Sequence, residues 1–484
     1  MNTNDVYITK SNKIDNLWLI PAILLSMLLG WLIANKGLTV GVLLVLIPFV
    51  IGFLIAVFLQ PRIGILMFIV YCFIMPTLGK HIEGPQFGLG QDAILLLTWL
   101  GVLFHRSNRY RFRHIDNDLV WIAVAWLIVT ILQLANIESP SFMGWVFEMR
   151  SATLYWVLSI PLAMLLLNKK SDIDLFLNII IILSFVGALY GIKQLYFGPD
   201  DAENRWLEAG AKKTHILFGK LRIFSFYAEA AQFGASQAQL AIMCLILALG
   251  PYSTKKKIWY GIASIFIFYG MLISGTRGAM AALVGGGFTF LVLSKQVRIL
   301  VLGSLFGLSF LGLLKFTSIG SSSVQIVRMR TSLDPNDPSF QVRLFNQKIL
   351  KDILADKPFG TGVGTIGTWG TKYNEDKFIA QIPPDSLYVK IWAMYGIIGF
   401  IGWFGIMLYI TGKSAGIVWK TRDPVLRNQL LALCGGATGI LLCSYGNEVL
   451  NAMPSSMIVY ISWALIWLSP RWDTQQQSQT TIVV

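Results

Sequence analysis

The chain has 484 residues, of which 55% are hydrophobic and only 13% are charged. Soluble domains are about 25% charged, so this composition excludes an ordinary soluble protein and indicates an integral membrane protein. The net charge of +14 is explained by basic cytoplasmic loops between membrane spans and does not require a nucleic-acid partner.

Apolar runs near the length that a helix needs to cross a bilayer recur along the whole chain and predict an all-α polytopic membrane protein. The first run is too long and too poorly flanked for a cleavable signal peptide, so we interpret it as a retained span. About fourteen transmembrane helices are predicted, at residues 17–35, 39–59, 62–78, 90–105, 118–136, 151–168, 174–196, 235–250, 258–274, 278–294, 299–315, 386–411, 428–446 and 454–470.

The basic loops predict the orientation of these spans. With fourteen spans, both termini and all five basic segments fall on one side, which is therefore the cytoplasm. These segments are residues 106–113, 169–170, 255–257, 295–298 and 413–427. The predicted external loops are residues 79–89, 137–150, 198–234, 275–277, 316–385 and 447–453.

Cysteine and histidine usage gives no sign of a metal site or a disulfide. Cys72, Cys244, Cys434 and Cys443 lie in apolar runs without paired spacing, as small core residues do. The histidines are scattered along the chain. We therefore predict no metal and no cofactor.

The longest external loop, residues 316–385, lies between spans 11 and 12 and is predicted to be a partly helical cap. Val342, Phe345, Ile349 and Ile353 form one apolar face of a helix. The glycine-rich run at residues 360–364 imitates a nucleotide-binding loop, but no strand precedes it. We interpret it as a turn that returns the loop to the membrane.

Arginines on the external side are the most informative feature. Arg277 lies in the tight hairpin SGTRGAM, where an arginine near the membrane is costly unless it has a partner or snorkels. Arg222 precedes Glu229 by seven residues, and the two face the same way if the segment is helical. The alternative for that pair is a purely structural contact.

Two further arginines are weaker candidates. Arg343 begins the predicted helix of the long loop, where the helix dipole disfavours a cation, so it is either a ligand of an external anion or a solvated residue. Arg150 is a similar but weaker candidate. Together, Arg222, Arg277 and Arg343 suit a diphosphate, because guanidinium groups bind phosphate oxygens bidentately and stay charged when desolvated.

Asp385 follows Pro383–Pro384 and directly precedes a span. It is either an N-cap, for which aspartate is well suited, or a carboxylate that takes a proton from an attacking hydroxyl. Lys390, one turn further on, is its partner or snorkels. Tyr388 is one of several external aromatic residues that either stack on sugar rings or anchor the interface.

Residues 215–412 resemble the bacterial O-antigen ligase and O-antigen polymerase superfamily. RIFSFYAEAAQFGA resembles the arginine-led segment of the family, and LISGTRGAMAALV resembles its short hairpin. VRLFNQKILKDILADKPFGTGVGTIG and the following PDSLYVKIWAMYGIIGFIGWFG resemble its large periplasmic loop. Residues 1–214 are then N-terminal transmembrane helices, and residues 413–484 are C-terminal transmembrane helices with a short cytoplasmic tail.

The resemblance implies a multi-pass glycosyltransferase of the bacterial inner membrane with its active site on the periplasmic side. Its donor would be a glycan on undecaprenyl diphosphate, and its acceptor another glycan or lipid A core, without metal or nucleotide sugar. Arg222, Arg277 and Arg343 would hold the diphosphate, with Arg277 and Asp385 catalytic. Glu229, Arg150 and Tyr388 would support them.

One position departs from the family. Its ligases carry a histidine where this chain has Asp385, which favours a polymerase slightly and leaves ligase and polymerase both open. A flippase or another transporter of lipid-linked oligosaccharide is the alternative. A transporter would carry charges deep in its spans, and this sequence shows few.

Overall fold

The computed structural model describes residues 19–36, 38–82, 84, 86–105, 110–138, 141–217, 219–318, 324–331, 334 and 336–482. Arg106 and Arg109 of the first basic loop lie outside these residues. The first eight helices are α1 (Leu19–Lys36), α2 (Leu38–Leu59), α3 (Pro61–His81), α4 (Gly88–Phe104), α5 (Asp118–Leu132), α6 (Phe142–Met149), α7 (Tyr155–Leu166) and α8 (Lys170–Phe197).

The remaining elements include one small β-hairpin. Its strands are β1 (Ile216–Leu217) and β2 (Lys220–Leu221), paired antiparallel. The other helices are α9 (Asp201–Trp206), α10 (Lys212–His215), α11 (Ala230–Ala248), α12 (Thr254–Ser274), α13 (Ala279–Leu293), α14 (Val297–Phe316), α15 (Val324–Thr331), α16 (Pro338–Ile353), α17 (Gly367–Tyr373), α18 (Leu387–Lys420), α19 (Pro424–Cys443) and α20 (Ser455–Ile482).

The structure confirms an all-α, membrane-type fold. Eight helical stretches of the described chain are long and apolar enough to cross a membrane, and four shorter helices are also apolar. Every predicted span overlaps a helix, because spans of this kind are specified locally by their apolar composition. The number of fourteen crossings stays a prediction, as does the division into segments at residues 214 and 412.

The chain forms two units, Met1–Gln60 and Pro61–Val484. The first consists of α1 and α2, which pack on each other. In the second, α11 is the central helix and packs on α12, α13 and α19. A Cβ at Gly439 would lie 2.5 Å from the carbonyl oxygen of Ala282, so α13 and α19 pack at backbone distance, as membrane helices with small residues do.

Three of the five predicted cytoplasmic segments meet at one end of the second unit. Lys170 forms an ion pair with Asp423. Lys295 donates to the carbonyl oxygen of Trp419 at 2.5 Å, and Arg427 to that of Leu293 at 2.7 Å. The segments at residues 169–170, 295–298 and 413–427 are therefore neighbours, as expected if they share one membrane side.

Two predicted boundaries are wrong. The chain is helical from Phe142 to Leu166, so most of the predicted loop at 137–150 belongs to a helix. Ser141 caps it by accepting from the amide of Gly144 at 3.1 Å. The C-terminal tail also continues α20 through Ile482, in keeping with the helix propensity of its glutamines.

The predicted helix of the long loop is present as α16, but its apolar face is only partly correct. Leu350 is fully buried, whereas Val342 and Phe345 are 54% and 64% exposed. The helix also starts at Pro338, so Arg343 lies inside it and not at its beginning as predicted.

The glycine-rich run packs against a break in α18. Gly396 has a φ of +69° inside that helix, and a Cβ there would lie 2.0 Å from the carbonyl oxygen of Pro358. The amides of Thr361 and Gly362 donate to the carbonyls of Ala393 and Met394 at 2.9 and 3.0 Å. The run is therefore a turn that anchors the long loop to α18.

Candidate active site

The α12–α13 hairpin is as tight as predicted. α12 ends at Ser274, and Gly275 follows in the left-handed conformation with a φ of +58°. Arg277 forms an ion pair with Asp337, which also accepts from the amide of Phe340 at 3.2 Å in the first turn of α16. The hairpin and the long loop are thus joined through Arg277.

Arg222 lies beside the same hairpin. Its Nη2 is 3.5 Å from Oγ1 of Thr276, and its Nη1 is 3.4 Å from the carbonyl oxygen of Thr214. Its buried Nε has no hydrogen-bond partner among the described residues. Burial, together with the charges of Arg328 and Arg277, lowers the pKa of Arg222 to about 10.

The segment that carries Arg222 is anchored by Lys80 of α3. The ammonium of this buried lysine lies 4.0 Å from the ring centroid of Phe224 and donates to the carbonyl oxygen of Ser225 at 3.4 Å. Residues 222–229 are not helical, so the helical pairing of Arg222 with Glu229 is wrong. No ion pair joins the two side chains, although the charge of Arg222 acts on Glu229.

Arg328 also lies at the α12–α13 hairpin, although no sequence pattern singled it out. It lies in α15, and a Cβ added at Gly275 would be 3.4 Å from its Nη1. Burial lowers the pKa of Arg328, as does the charge of Arg277, while Asp337 opposes the shift. In the sequence, only its place in a long external loop distinguishes it from other basic residues.

Asp385 is not the N-cap of α18. Ser386 occupies the cap position and accepts from the amide of Val389 at 3.5 Å, while Asp385 has a left-handed φ of +48°. Asp385 is exposed to solvent, with protein around part of it, and we call the region between Asp385, Arg343 and Glu448 the recess. Burial raises the pKa of Asp385, Glu448 adds to this, and Arg343 opposes it.

Arg343 reaches the same recess from α16. Its Nη1 would lie 3.8 Å from a Cβ at Gly446, in the connection that follows α19. One turn later, Asn346 donates to the carbonyl oxygen of Pro383 at 3.3 Å. These contacts hold α16 against both the start of α18 and the end of α19.

A buried ion triad lies next to this recess. Lys390 is 2.9 Å from Oε2 of Glu148 and 2.7 Å from Oε2 of Glu448. Glu148 is fully buried, whereas the Glu448 side chain is 33% exposed. Lys390 is therefore neither a partner of Asp385 nor a snorkelling lysine. In the sequence, Glu148 and Lys390 could have been recognised as paired residues because each is a charged residue inside an apolar helix.

Glu229 interacts electrostatically with both Arg222 and Glu448. It is exposed to solvent at the N-terminus of α11 and does not cap that helix with its side chain. The surrounding protein raises the pKa of Glu229, Arg222 opposes the shift, and Glu448 adds to it. Glu229 and Asp385 thus both lie within the electrostatic influence of Glu448.

The two remaining candidates make structural contacts. Arg150 is 2.6 Å from Oδ2 of Asp92 and donates to the carbonyl oxygen of Gly88 at 2.9 Å. Tyr388 donates to the carbonyl oxygen of Leu441 at 3.1 Å and packs on Trp403. The structure does not bring either residue into contact with the other predicted site residues.

The arrangement offers guanidinium groups for an anionic leaving group and, beside them, carboxylates that can take a proton. Among the described residues, no group of three or more His, Cys, Asp or Glu side chains is placed to hold a metal ion. The cysteines Cys72, Cys244, Cys434 and Cys443 are buried free thiols.

Comparison with known proteins agrees with this geometry. No curated protein matches the chain. The model of the O-antigen ligase family matches residues 262–404, a stretch that includes Arg277, Arg328, Arg343 and Asp385. The predicted resemblance is thereby confirmed for residues 262–404, which are similar to the O-antigen ligase family.

Proposed function

We propose that this protein is an integral membrane glycosyltransferase that transfers a glycan from undecaprenyl diphosphate to an acceptor hydroxyl, in the synthesis of O-antigen, capsule or exopolysaccharide. The observation that supports it most is the meeting of Arg222 and Arg277 at one hairpin. Arg277 lies within the part of the chain that matches the O-antigen ligase family.

In the proposed reaction the acceptor oxygen attacks the anomeric carbon of the donor sugar. The bond from this carbon to the phosphate oxygen breaks, and the electron pair leaves with the diphosphate. Arg222, Arg277 and Arg343 stabilise the charge that develops there. Asp385 takes the proton from the attacking hydroxyl, and its raised pKa makes it a stronger base than an ordinary aspartate.

The chain is proposed to cross the bacterial inner membrane about fourteen times, with both termini in the cytoplasm and the site outside. The basic segments at residues 169–170, 295–298 and 413–427 gather at one end of the helices. Arg277 and Asp385 lie just before the first residues of α13 and α18, at the ends of these helices that are away from the basic segments. This separation supports an external site under the positive-inside rule.

The acceptor is proposed to be either a second lipid-linked glycan or lipid A core. Asp385 at the position of the family's histidine supports the glycan, and hence a polymerase, because the family's ligases carry that histidine. Both acceptors present a sugar hydroxyl, so the same chemistry serves either reaction.

The test uses the full chain in detergent with an undecaprenyl-diphosphate-linked repeat unit, first alone and then with lipid A core. Product length on a gel distinguishes a polymerase, which makes a ladder, from a ligase, which needs the core. Arg277→Ala and Asp385→Asn should abolish either product, and Lys351→Ala, an exposed change on α16, should not.

The alternative function is transport of the lipid-linked oligosaccharide. The buried Glu148 and Lys390 are the kind of charges inside spans that favour it. Movement of the lipid across vesicles without any transfer product would replace the proposed reaction with this alternative.

A further inference from the structure

Three guanidinium groups lie at three consecutive residues of the α12–α13 hairpin. Gly275 packs against Arg328, Thr276 lies next to Arg222, and Arg277 follows. Of these arginines, Arg328 is the one to which neither the sequence nor the family resemblance assigns a role. We propose that Arg328 completes a phosphate-binding pocket with Arg222 and Arg277, in which Asp337 is the counter-ion that the lipid diphosphate replaces.

The hydrogen-bonding state of these arginines fits an anion site. The Arg328 side chain makes no hydrogen bond or ion pair with other described residues, although it is half-buried. Arg222 has only two long contacts and a buried Nε without a partner. Burying guanidinium donors unpaired is costly, and a phosphate supplies the missing acceptors.

The mutual repulsion of the arginines leads to the same conclusion. Arg328 and Arg277 both disfavour the charged state of Arg222, and Arg277 does the same to Arg328. A doubly charged phosphate group between like charges relieves this repulsion more than a single carboxylate does. Gly275 adopts a left-handed φ of +58°, which favours glycine, and a Cβ there would be in van der Waals contact with the Arg328 guanidinium at 3.4 Å.

In this structure the Asp337 carboxylate forms the ion pair with Arg277 that the phosphate would form in the complex. The same side chain accepts from the amide of Phe340 through its other oxygen. Diphosphate binding would release Asp337 from Arg277 but leave this helix contact intact.

The experiment measures binding of undecaprenyl diphosphate to the full chain in detergent, with undecaprenol as the phosphate-free probe. Arg328→Ala should weaken diphosphate binding by about tenfold to a hundredfold, as expected when a charge-assisted hydrogen bond is lost. It should leave undecaprenol binding unchanged. Lys351→Ala removes one positive charge from the exposed face of the same loop and should have little effect.

Asp337→Asn provides a test of opposite sign. Asparagine also accepts hydrogen bonds at a helix N-terminus, so the variant removes the competing charge and keeps the contact to Phe340. It should tighten diphosphate binding by about twofold to tenfold. A misfolded variant would not bind more tightly, so this result cannot come from structural damage.

The inference rests on the proposed function, and the outcomes separate the two. If wild-type protein binds undecaprenol and undecaprenyl diphosphate equally, both are wrong. If Arg277→Ala weakens diphosphate binding while Arg328→Ala behaves like Lys351→Ala, only the role of Arg328 is wrong. Unchanged or weaker binding by Asp337→Asn would overturn the assignment of Asp337 as the displaced counter-ion.

Discussion

Asp385 and Ser386 are adjacent in the chain, yet only Ser386 caps α18. Asp385 has a left-handed backbone with a φ of +48°, and it is the Ser386 hydroxyl that accepts from the amide of Val389. The two residues therefore divide the roles that the sequence allowed Asp385 to combine. The Asp385 carboxylate is therefore not used as a helix cap, and the charges of Arg343 and Glu448 act on its pKa.

We therefore expect substitutions at these two positions to have separate effects. Asp385→Asn should lower the transfer rate by about a hundredfold to ten-thousandfold, the usual contribution of a general base, with little change in stability. Ser386→Ala should cost about 0.5–2 kcal/mol of stability through the lost cap and keep most of the activity. Initial rates and thermal unfolding in detergent measure both. Because asparagine would also cap the helix, the cap is tested with Asp385→Ala: a loss of stability in that variant as large as in Ser386→Ala would assign the cap to Asp385.

The pH dependence of transfer should report on Asp385. The carboxylate must be deprotonated to act as a base, so the rate rises with pH as the proton is lost. Because burial raises the pKa of Asp385, this rise should lie above the usual aspartate value of about 3.9. A profile of kcat/KM against pH measures it.

Two variants should shift this profile in opposite directions. Arg343→Gln should move the rise to higher pH, because the charge of Arg343 lowers the pKa of Asp385. Glu448→Gln should move it to lower pH, because the charge of Glu448 raises that pKa. Shifts in the same direction, or none, would show that another group controls the rate.

The triad around Lys390 should contribute to stability through charge balance. Lys390→Met leaves Glu148 buried without a partner, which should destabilise the protein by about 3–5 kcal/mol. Adding Glu148→Gln removes the uncompensated charge and should recover much of this loss. Chemical unfolding in mixed micelles compares the single and double variants. Equal losses in both would mean that packing, and not charge, dominates.

The contact between the glycine-rich turn and α18 should be sensitive to one added methyl group. Gly396→Ala forces a Cβ against the Pro358 carbonyl in a left-handed conformation and should cost about 2–4 kcal/mol. Gly402→Ala lies in the same helix with nothing within 4 Å and should be neutral or slightly stabilising. Limited proteolysis of residues 354–366 should increase only in the first variant.

Removal of divalent metal ions should leave transfer unaffected. In the proposed reaction, arginines at the diphosphate perform the charge stabilisation that a metal supplies in other enzymes. Rates measured with EDTA and with added magnesium should agree. A loss with EDTA that magnesium restores would require carboxylates of the recess to act as metal ligands.

The sequence by itself determined where the helices are and where the chain turns tightly. An apolar run of about 20 residues forms a membrane helix in almost any context, because its backbone must be hydrogen-bonded internally. The same local logic identified the Arg277 hairpin and the turn at residues 360–364. It also predicted that Arg222, Arg277, Arg343 and Asp385 lie on one side of the membrane.

Only the tertiary structure decided which of these residues meet and what their partners are. Glu148 and Lys390 come from two helices and Glu448 from the connection between α19 and α20, and nothing near them in the chain specifies that they form one ion triad. Arg328 became a site residue because α15 packs against Gly275. Electrostatic partners depend on distances of a few ångströms between distant segments, and these follow from packing and not from local patterns.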